Sequence, residues 1–325
     1  MNPDLSILLV TYHCRDVAAA CLASIEATKG DLACEVVLVD NDSRDGTVEM
    51  VRERHPSVRL IASPENLGFA AGVNRAADEA AGEYLLLLNP DTVVHEGALR
   101  ALLDFARAHP EHGLYGGRTL DPDGTVNPGS CWGAPSLWSL TCYATMLTTA
   151  FRRTALFDPE SLGDWKRDTV REVDIITGCL LLVPRALWRE LGGFDTRFFM
   201  YGEDADLSFR ARALGYRPVI VPEAVITHEV GVSSQADGEK YLYLHRGKAT
   251  LLRKHWHGLR LRTGLGLLLV GVGVRALVSL LARRPEARSA YVDVWRRREE
   301  WLEGYPEPAA ATGRTVARGG EVGTA

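Results

Sequence analysis

The chain lacks the marks of several protein classes. Its six cysteines, Cys14, Cys21, Cys34, Cys131, Cys142 and Cys179, are scattered over 325 residues, and no two stand in C-x-x-C spacing. That excludes a zinc ribbon or a dithiol redox motif, and disulfide frameworks belong to much smaller secreted domains. The six are expected to be buried thiols in a reducing compartment. An excess of positive charge is missing as well. Lys and Arg total 37 against 42 Asp and Glu, a formal net charge of −5, so there is no global basic field for nucleic acid. The basic n-region and cleavage pattern of a signal peptide are absent, because Met1 to Asp4 runs straight into an apolar strand. The folded part is therefore expected in the cytoplasm. The first strand–helix junction, Thr11-Tyr12-His13-Cys14-Arg15, has no glycine, which rules out the dinucleotide fingerprint of a Rossmann dehydrogenase. Gly271-Val272-Gly273 lies far downstream in an apolar run and is not that fingerprint. No uninterrupted apolar run reaches the roughly 20 residues that span a bilayer. The longest candidate, Thr263 to Val274, stops at Arg275.

What is present alternates. Apolar runs at Leu5–Tyr12, Cys34–Asp40, Val58–Ala62 and Tyr84–Leu88 have strand length. Segments with helical spacing separate them, at Val17–Thr28, Gly46–Arg54 and Gly68–Ala80. Such alternation predicts an α/β fold, a parallel sheet with covering helices, with ligands beyond the carboxyl ends of the strands. The stretch from Pro110 to Arg171 is turn-rich, with a hairpin turn at Asp121-Pro122-Asp123-Gly124. Order returns with a long strand over Val173–Val183, a helix over Ala186–Leu191, a helix over Asp204–Leu214 and a strand over Arg217–Val221. A helix is expected over Glu239–His257, and a disordered Pro-, Gly- and Ala-rich tail over 304–325.

Three polar clusters carry the chemistry. Val39-Asp40-Asn41-Asp42-Ser43-Arg44-Asp45-Gly46-Thr47 follows a buried strand and opens a helix. A carboxylate there can accept the imide N–H of uracil or thymine, while the same residues also make a plain helix N-cap. Asn89-Pro90-Asp91-Thr92 places an acid just past a strand, which suits a divalent ion holding a diphosphate, or a simple turn. Glu203, Asp204 and Asp206 gather behind the aromatic loop Phe198-Phe199-Met200-Tyr201. Acids at a helix start are favoured by the dipole, and a partly desolvated one can serve as a base. His228 follows a strand and is either a ligand or an ordinary surface or core histidine.

The order of these clusters resembles the family-2 inverting glycosyltransferases of GT-A fold, in particular the rhamnosyltransferase-like enzymes of cell-surface polysaccharide synthesis. The likeness rests on Val10-Thr11-Tyr12, the Asp40–Thr47 cluster, Asn66-Leu67-Gly68-Phe69, Asn89-Pro90-Asp91, Gly178-Cys179, Gly193-Phe194-Asp195 and Gly202-Glu203-Asp204-Ala205-Asp206-Leu207, and covers roughly residues 5–231. It implies a Rossmann-like nucleotide-sugar-binding domain over 1–235, its nucleotide half about 1–95 and its acceptor half about 96–235. It implies that Thr11, Asp40, Asn41, Asn66, Gly68, Asn89 and Asp91 bind the nucleotide sugar, that Asp91 and His228 hold Mg²⁺ or Mn²⁺, and that Asp204 is the base with Glu203 beside it. Asn89 stands where the family's metal motif has its first acid. The implied substrates are a nucleoside-diphosphate sugar, with dTDP-rhamnose as a candidate, and a glycan or polyprenyl-linked acceptor. A catalytically retired scaffold of the same fold is the alternative, and a homodimer is left open.

The segment 236–303 is expected to be helical and to dock on the inner membrane surface without crossing it. Arg260, Arg262, Arg283 and Arg284 flank its apolar stretch, with Trp295 and Trp301 nearby, and an arginine near mid-span costs about 2.5–3.5 kcal/mol on insertion scales. The alternative is a helical hairpin packed on the catalytic domain or on a second subunit.

Overall fold

The computed structural model describes residues 3–229, 237–281 and 287–307. Its strands are β1 (Leu5–Thr11), β2 (Cys34–Asn41), β3 (Arg59–Ser63), β4 (Tyr84–Leu88), β5 (Thr92–Val94), β6 (Tyr115–Leu120), β7 (Cys131–Trp132), β8 (Arg171–Glu172), β9 (Ile175–Ile176), β10 (Leu180–Pro184) and β11 (Val219–His228). Its helices are α1 (Arg15–Thr28), α2 (Thr47–Arg54), α3 (Phe69–Glu79), α4 (Ala98–Ala108), α5 (Leu137–Ala144), α6 (Leu147–Ala150), α7 (Arg185–Leu191), α8 (Glu203–Ala213), α9 (Asp237–His255), α10 (Gly258–Leu281), α11 (Ala287–Arg296) and α12 (Arg298–Leu302).

The central strands are apolar at nearly every position because both faces of the sheet are covered. Leu5, Ile7 and Leu9 of β1 join one core with α1 and α4, while Leu8 and Val10 join a second core with α3. β4 divides in the same way, Leu86 and Leu88 against Leu85 and Leu87. The main sheet runs β3-β2-β1-β4-β10-β6-β11-β5, with β8 on β11. Strands β1 to β4 are parallel, as the alternation predicts; β10 is antiparallel to both its neighbours, and β11 is again parallel to β6. The order 3-2-1-4 reverses at β1 and β4, which opens a crevice at their carboxyl ends.

Three elements depart from the sequence expectation. The long strand over Val173–Val183 is two strands: β9 pairs with β7 in a separate two-stranded sheet, β10 enters the main sheet, and Thr177-Gly178-Cys179 turns between them. The turn-rich stretch hides β6, a central strand whose two glycines are needed for close packing. A Cβ on Gly117 would lie 2.1 Å from the Ala224 carbonyl oxygen, and one on Gly116 would lie 2.6 Å from Ile176. The last strand extends through His228, past an irregularity between Val221 and Val225, and so delivers that histidine to the crevice. The hairpin turn after β6 forms as expected, with the Gly124 N–H donating to the Asp121 carbonyl at 2.8 Å. All six cysteines are free, five of them buried and Cys34 partly exposed.

The C-terminal helices are fastened to the α/β domain. Lys254 of α9 donates to Asp195 at 2.6 Å and lies 2.8 Å from Asp206, and His255 lies 2.9 Å from Asp206. α10 is continuous across Arg275, because that arginine points inward rather than breaking the helix. Its guanidinium stacks 3.7 Å from the Tyr143 ring centroid and donates to the Tyr143 and Gly271 carbonyls and the hydroxyls of Thr148 and Thr149. A charge so fully hydrogen-bonded is tolerated out of water. Order also extends past residue 303: Tyr305 is buried, and its hydroxyl donates to the Met200 carbonyl at 2.7 Å. Arg283, Arg284 and the expected tail beyond 307 lie outside the described residues.

Candidate active site

A cavity of about 740 Å³ opens at the carboxyl ends of β1, β2 and β4. Beside the ends of β1 and β2 it is lined by Tyr12, Asn41, Asn66, Gly68 and Phe69. Thr11 and Asp40 are not among the lining residues. They lie beneath, fully buried, with the Thr11 hydroxyl donating to Asp40 Oδ1 at 2.8 Å and the Ser43 N–H donating to Asp40 Oδ2 at 2.9 Å. Asp40 thus fixes the loop after β2, and its neighbour faces the cavity. Asn41 Nδ2 donates to the Gly68 carbonyl at 3.1 Å, while its Oδ1 is buried with no hydrogen-bond partner among the described residues. Asn66 Oδ1 accepts from the Gly68 N–H at 2.9 Å, which shapes the turn into α3. Gly68 has φ +79°, and a Cβ there would lie 2.5 Å from the Phe199 carbonyl oxygen. Only glycine permits that approach between α3 and the aromatic loop.

Asn89, Asp91 and His228 meet in the middle of the cavity. Pairing of β5 with β11 sets His228 opposite Thr92, and the His228 ring nitrogen Nε2 lies 3.1 Å from Asp91 Oδ1. Among the described residues no three His, Cys, Asp or Glu side chains converge as a closed metal cage. One carboxylate and one imidazole on an open cavity still fit a hard divalent ion, because such ions are commonly held by one or two protein ligands while phosphate oxygens and water complete the shell.

Glu203 and Asp204 open α8 behind the loop Phe198–Gly202. Tyr201 takes a left-handed conformation at φ +66°, and α9 holds it there. A Cβ on Gly247 would lie 2.0 Å from the Tyr201 carbonyl oxygen, so the helix backbone rests directly on the loop. Asp204 Oδ2 accepts the Gly178 N–H at 3.1 Å, and Oδ1 accepts the Ala205 N–H at 2.7 Å. The turn that divides β9 from β10 is therefore what supplies a donor to Asp204. Burial raises the Asp204 carboxyl above its ordinary range, and those N–H groups pull it back. Glu203 is pushed up further, first by burial and then by the charge of Asp204, and its Oε2 has no partner among the described residues. Both shifts run upward, and the stronger push falls on Glu203, whose neutral form is favoured by burial and by the neighbouring Asp204 charge. Asp206 is separate. Burial alone would raise it, but His255, Arg210 and Lys254 outweigh that and bring it down to about 2. It is a latch between α8 and α9, so the expected trio of acids is a pair and a tether.

Beyond Asp204 the cavity is lined by residues that sequence reasoning did not single out as site residues: Trp132, Glu160, Thr177, Tyr243 and Lys248. The signal for the last two was the helical spacing of Lys240, Tyr243, Leu244, Lys248 and Leu251, submerged in a basic segment read as membrane-facing.

Comparison with known proteins shows the family. Residues 6–159 match the profile "Glycosyl transferase family 2", and residues 84–307 match "Glycosyl transferase family group 2". The sequence is 34% identical over 265 residues, 75% of this chain and 82% of the relative, to the N-acetylglucosaminyl-diphospho-decaprenol L-rhamnosyltransferase of Mycobacterium tuberculosis. It is 29% identical over 239 residues to the O-antigen biosynthesis protein RfbC of Myxococcus xanthus, covering 73% of this chain and 18% of that one. Among solved structures, the mannosyltransferase PcManGT from Pyrobaculum calidifontis, in complex with GDP-Man and Mn²⁺, superposes with a TM-score of 0.55 at 20% identity, over 93% of this chain and 84% of that one. That likeness is one of fold.

Proposed function

Because the chain belongs to glycosyltransferase family 2, and is a glycosyltransferase on that ground, we propose that it moves a sugar from a nucleoside diphosphate to a lipid-linked acceptor with inversion. The sugar is rhamnose and the acceptor an N-acetylglucosaminyl-diphospho-polyprenol, by analogy with the mycobacterial relative, and the donor is dTDP-rhamnose, as the family resemblance implies. The observation that carries the reading is the meeting in one cavity of Asp204, a carboxylate held by two backbone N–H groups, with the Asp91–His228 pair.

In this reading Asp204 takes the proton from the acceptor hydroxyl as its oxygen attacks the anomeric carbon. The bond from that carbon to the diphosphate oxygen breaks on the opposite face, and the sugar inverts. Asp91 and His228 would hold Mg²⁺ or Mn²⁺, which offsets charge on the departing diphosphate. Glu203, protonated, keeps a second negative charge away from the attacking oxygen. Asn41, which lines the cavity, takes the imide N–H of the base through its side-chain carbonyl, with Asp40 positioning its loop.

The enzyme works at the inner membrane surface. Supporting this, the outward face of α10 exposes Leu259, Val270, Leu277, Val278 and Leu281, and α5 beside it exposes Leu137 and Trp138. α10 is long and apolar enough to cross a bilayer, but one side packs on α5, with Arg275 on that side. A helix committed on one face to protein suits lying in the headgroup region.

The test is transfer itself. Purified protein, dTDP-rhamnose and Mg²⁺ or Mn²⁺ are incubated with a short-chain N-acetylglucosaminyl-diphospho-lipid, and product and nucleoside diphosphate are followed by mass spectrometry. Metal-dependent nucleoside diphosphate release with product is expected. Absence of release from every dTDP- and UDP-sugar tried would return the chain to the scaffold alternative.

A further inference from the structure

Lys240, Tyr243, Leu244, Lys248 and Leu251 of α9 recur at i, i+3, i+4, i+8 and i+11, so one helix face forms a continuous wall of the cavity. Among the described residues, Lys240 and Lys248 are the only lysine or arginine side chains on that lining. They stand two turns apart, about 12 Å along the axis. Lys248 is held in place by Glu160, whose Oε2 lies 2.7 Å from Nζ and whose Oε1 accepts from the Ser139 hydroxyl of α5 at 2.7 Å. The contact of Gly247 with Tyr201 presses this wall against the loop that carries Glu203 and Asp204. Trp132, Pro135 and Ile175 also line the cavity and give it apolar surface, and Ile175 packs with Leu251 of this wall.

Resting on the glycosyltransferase reading above, we propose that Lys240 and Lys248 form an acceptor-side diphosphate subsite. The acceptor is then a sugar on a diphospho-lipid, its diphosphate against the two ammonium groups and its first hydrocarbon units against Trp132, Pro135 and Leu244. A diphosphate also occurs in the donor, but in this reading the donor is bound by the ends of β1, β2 and β4, and its charge would be offset by a divalent ion held by Asp91 and His228. Lys248 is tied through Glu160 to α5, away from those strand ends, and Lys240 lies two turns along the same helix face. The path outward has the right chemistry. Pro135 leads into α5, which exposes Leu137 and Trp138 and packs along α10, whose outer face is apolar. A lipid chain leaving the cavity there meets the exposed apolar side chains of α5 and α10, and its anionic head meets cations inside. Two lysines without the hydrocarbon path would suit any phosphate; the juxtaposition selects an amphiphile.

The full chain is assayed with two acceptors, N-acetylglucosaminyl-diphospho-farnesol and octyl N-acetylglucosaminide, which lacks the diphosphate. Lys240→Met and Lys248→Met should each lower kcat/KM for the first about tenfold, the scale of one charge-assisted hydrogen bond, and for the second by less than about threefold. Lys248→Arg should recover most of the loss. Equal losses on both acceptors, or a rise confined to the donor KM, would overturn the subsite. Equilibrium binding read by tryptophan fluorescence needs no turnover. Farnesyl diphosphate should bind about tenfold or more tighter than farnesol, and the double variant should erase that difference. Equal affinities in the unmodified protein would also overturn it. A chain that releases no nucleoside diphosphate from any donor fails the underlying reading, and the binding arm still decides the subsite.

Discussion

Asp204→Asn tests the base most sharply, because the structure fixes what else the change does. Both carboxylate oxygens accept backbone N–H groups, from Gly178 at 3.1 Å and from Ala205 at 2.7 Å. Asparagine has one carbonyl oxygen, so one of those N–H groups loses its acceptor, at about 1–3 kcal/mol. Against that, a buried charge next to Glu203 disappears, which is favourable. The two effects oppose each other, and the variant should fold with a melting temperature within a few degrees of the parent. Loss of general-base catalysis should lower kcat by about 10²- to 10⁴-fold, equal to about 2.7–5.4 kcal/mol in the barrier. Donor affinity, set at the opposite wall, should hold. The pH profile adds a signature. Transfer needs Asp204 ionised, and burial raises its pKa, so kcat/KM is full above that value and falls as pH drops through it. In Asp204→Asn this acid limb should vanish. Glu203→Gln keeps the shape of the protonated acid and should hold kcat within about tenfold, since no proton transfer is removed. Initial rates by mass spectrometry across pH, with donor titration by calorimetry, measure all of this. An Asp204→Asn enzyme within tenfold of the parent, or one that keeps its acid limb, would refute the assignment and pass the role to Glu203.

Asp91→Ala should abolish transfer and metal-dependent donor binding while the fold survives, because the group ends a strand; full activity of that variant in EDTA would remove any metal role. His228→Ala should weaken nucleoside diphosphate binding more than nucleoside binding in parallel titrations, and equal weakening would make it structural. Lys254→Met removes one of the two cations on the fully buried Asp206, which the His255 ring also contacts, together with the bond to Asp195, and should destabilise by about 1–3 kcal/mol in urea unfolding, below the cost of stripping a buried pair completely. The pKa of Asp206 is lowered to about 2, so its stabilisation is present above the unfolded carboxylate range and is lost as pH falls from about 4 toward 2. Floated with anionic liposomes, the full chain should rise with the lipid and be released by high salt; no flotation, together with a dimer in light scattering, would assign the α10 face to a second copy.

Much of the fold was written in local pattern. β1, β2 and β4 are legible because strands covered on both faces must be apolar throughout, and their polar ends mark the crevice whatever the rest of the chain does. That pattern, with the order of the polar clusters, is enough to identify the family. Pattern fails where a residue's role depends on a partner far along the chain. β6, Tyr-Gly-Gly-Arg-Thr-Leu, carries no strand signal of its own, since its glycines answer to the Ala224 carbonyl and the side chain of Ile176. The apolar run Val173–Val183 gives no hint of its break, which exists because the Gly178 N–H turns toward Asp204. Asp204 and Asp206 are indistinguishable as neighbouring acids, and only the packing of α9 sends one into the cavity and ties the other to Lys254, His255 and Arg210. Asp40 and Asn41 differ in the same way, one turned under the sheet end and the other into the cavity. Arg275 reads as an interruption until α5 supplies the carbonyl and hydroxyls that satisfy it. Sequence periodicity reports which side of an element is buried, but the direction of each polar side chain is decided by the donor or acceptor that folding brings to meet it.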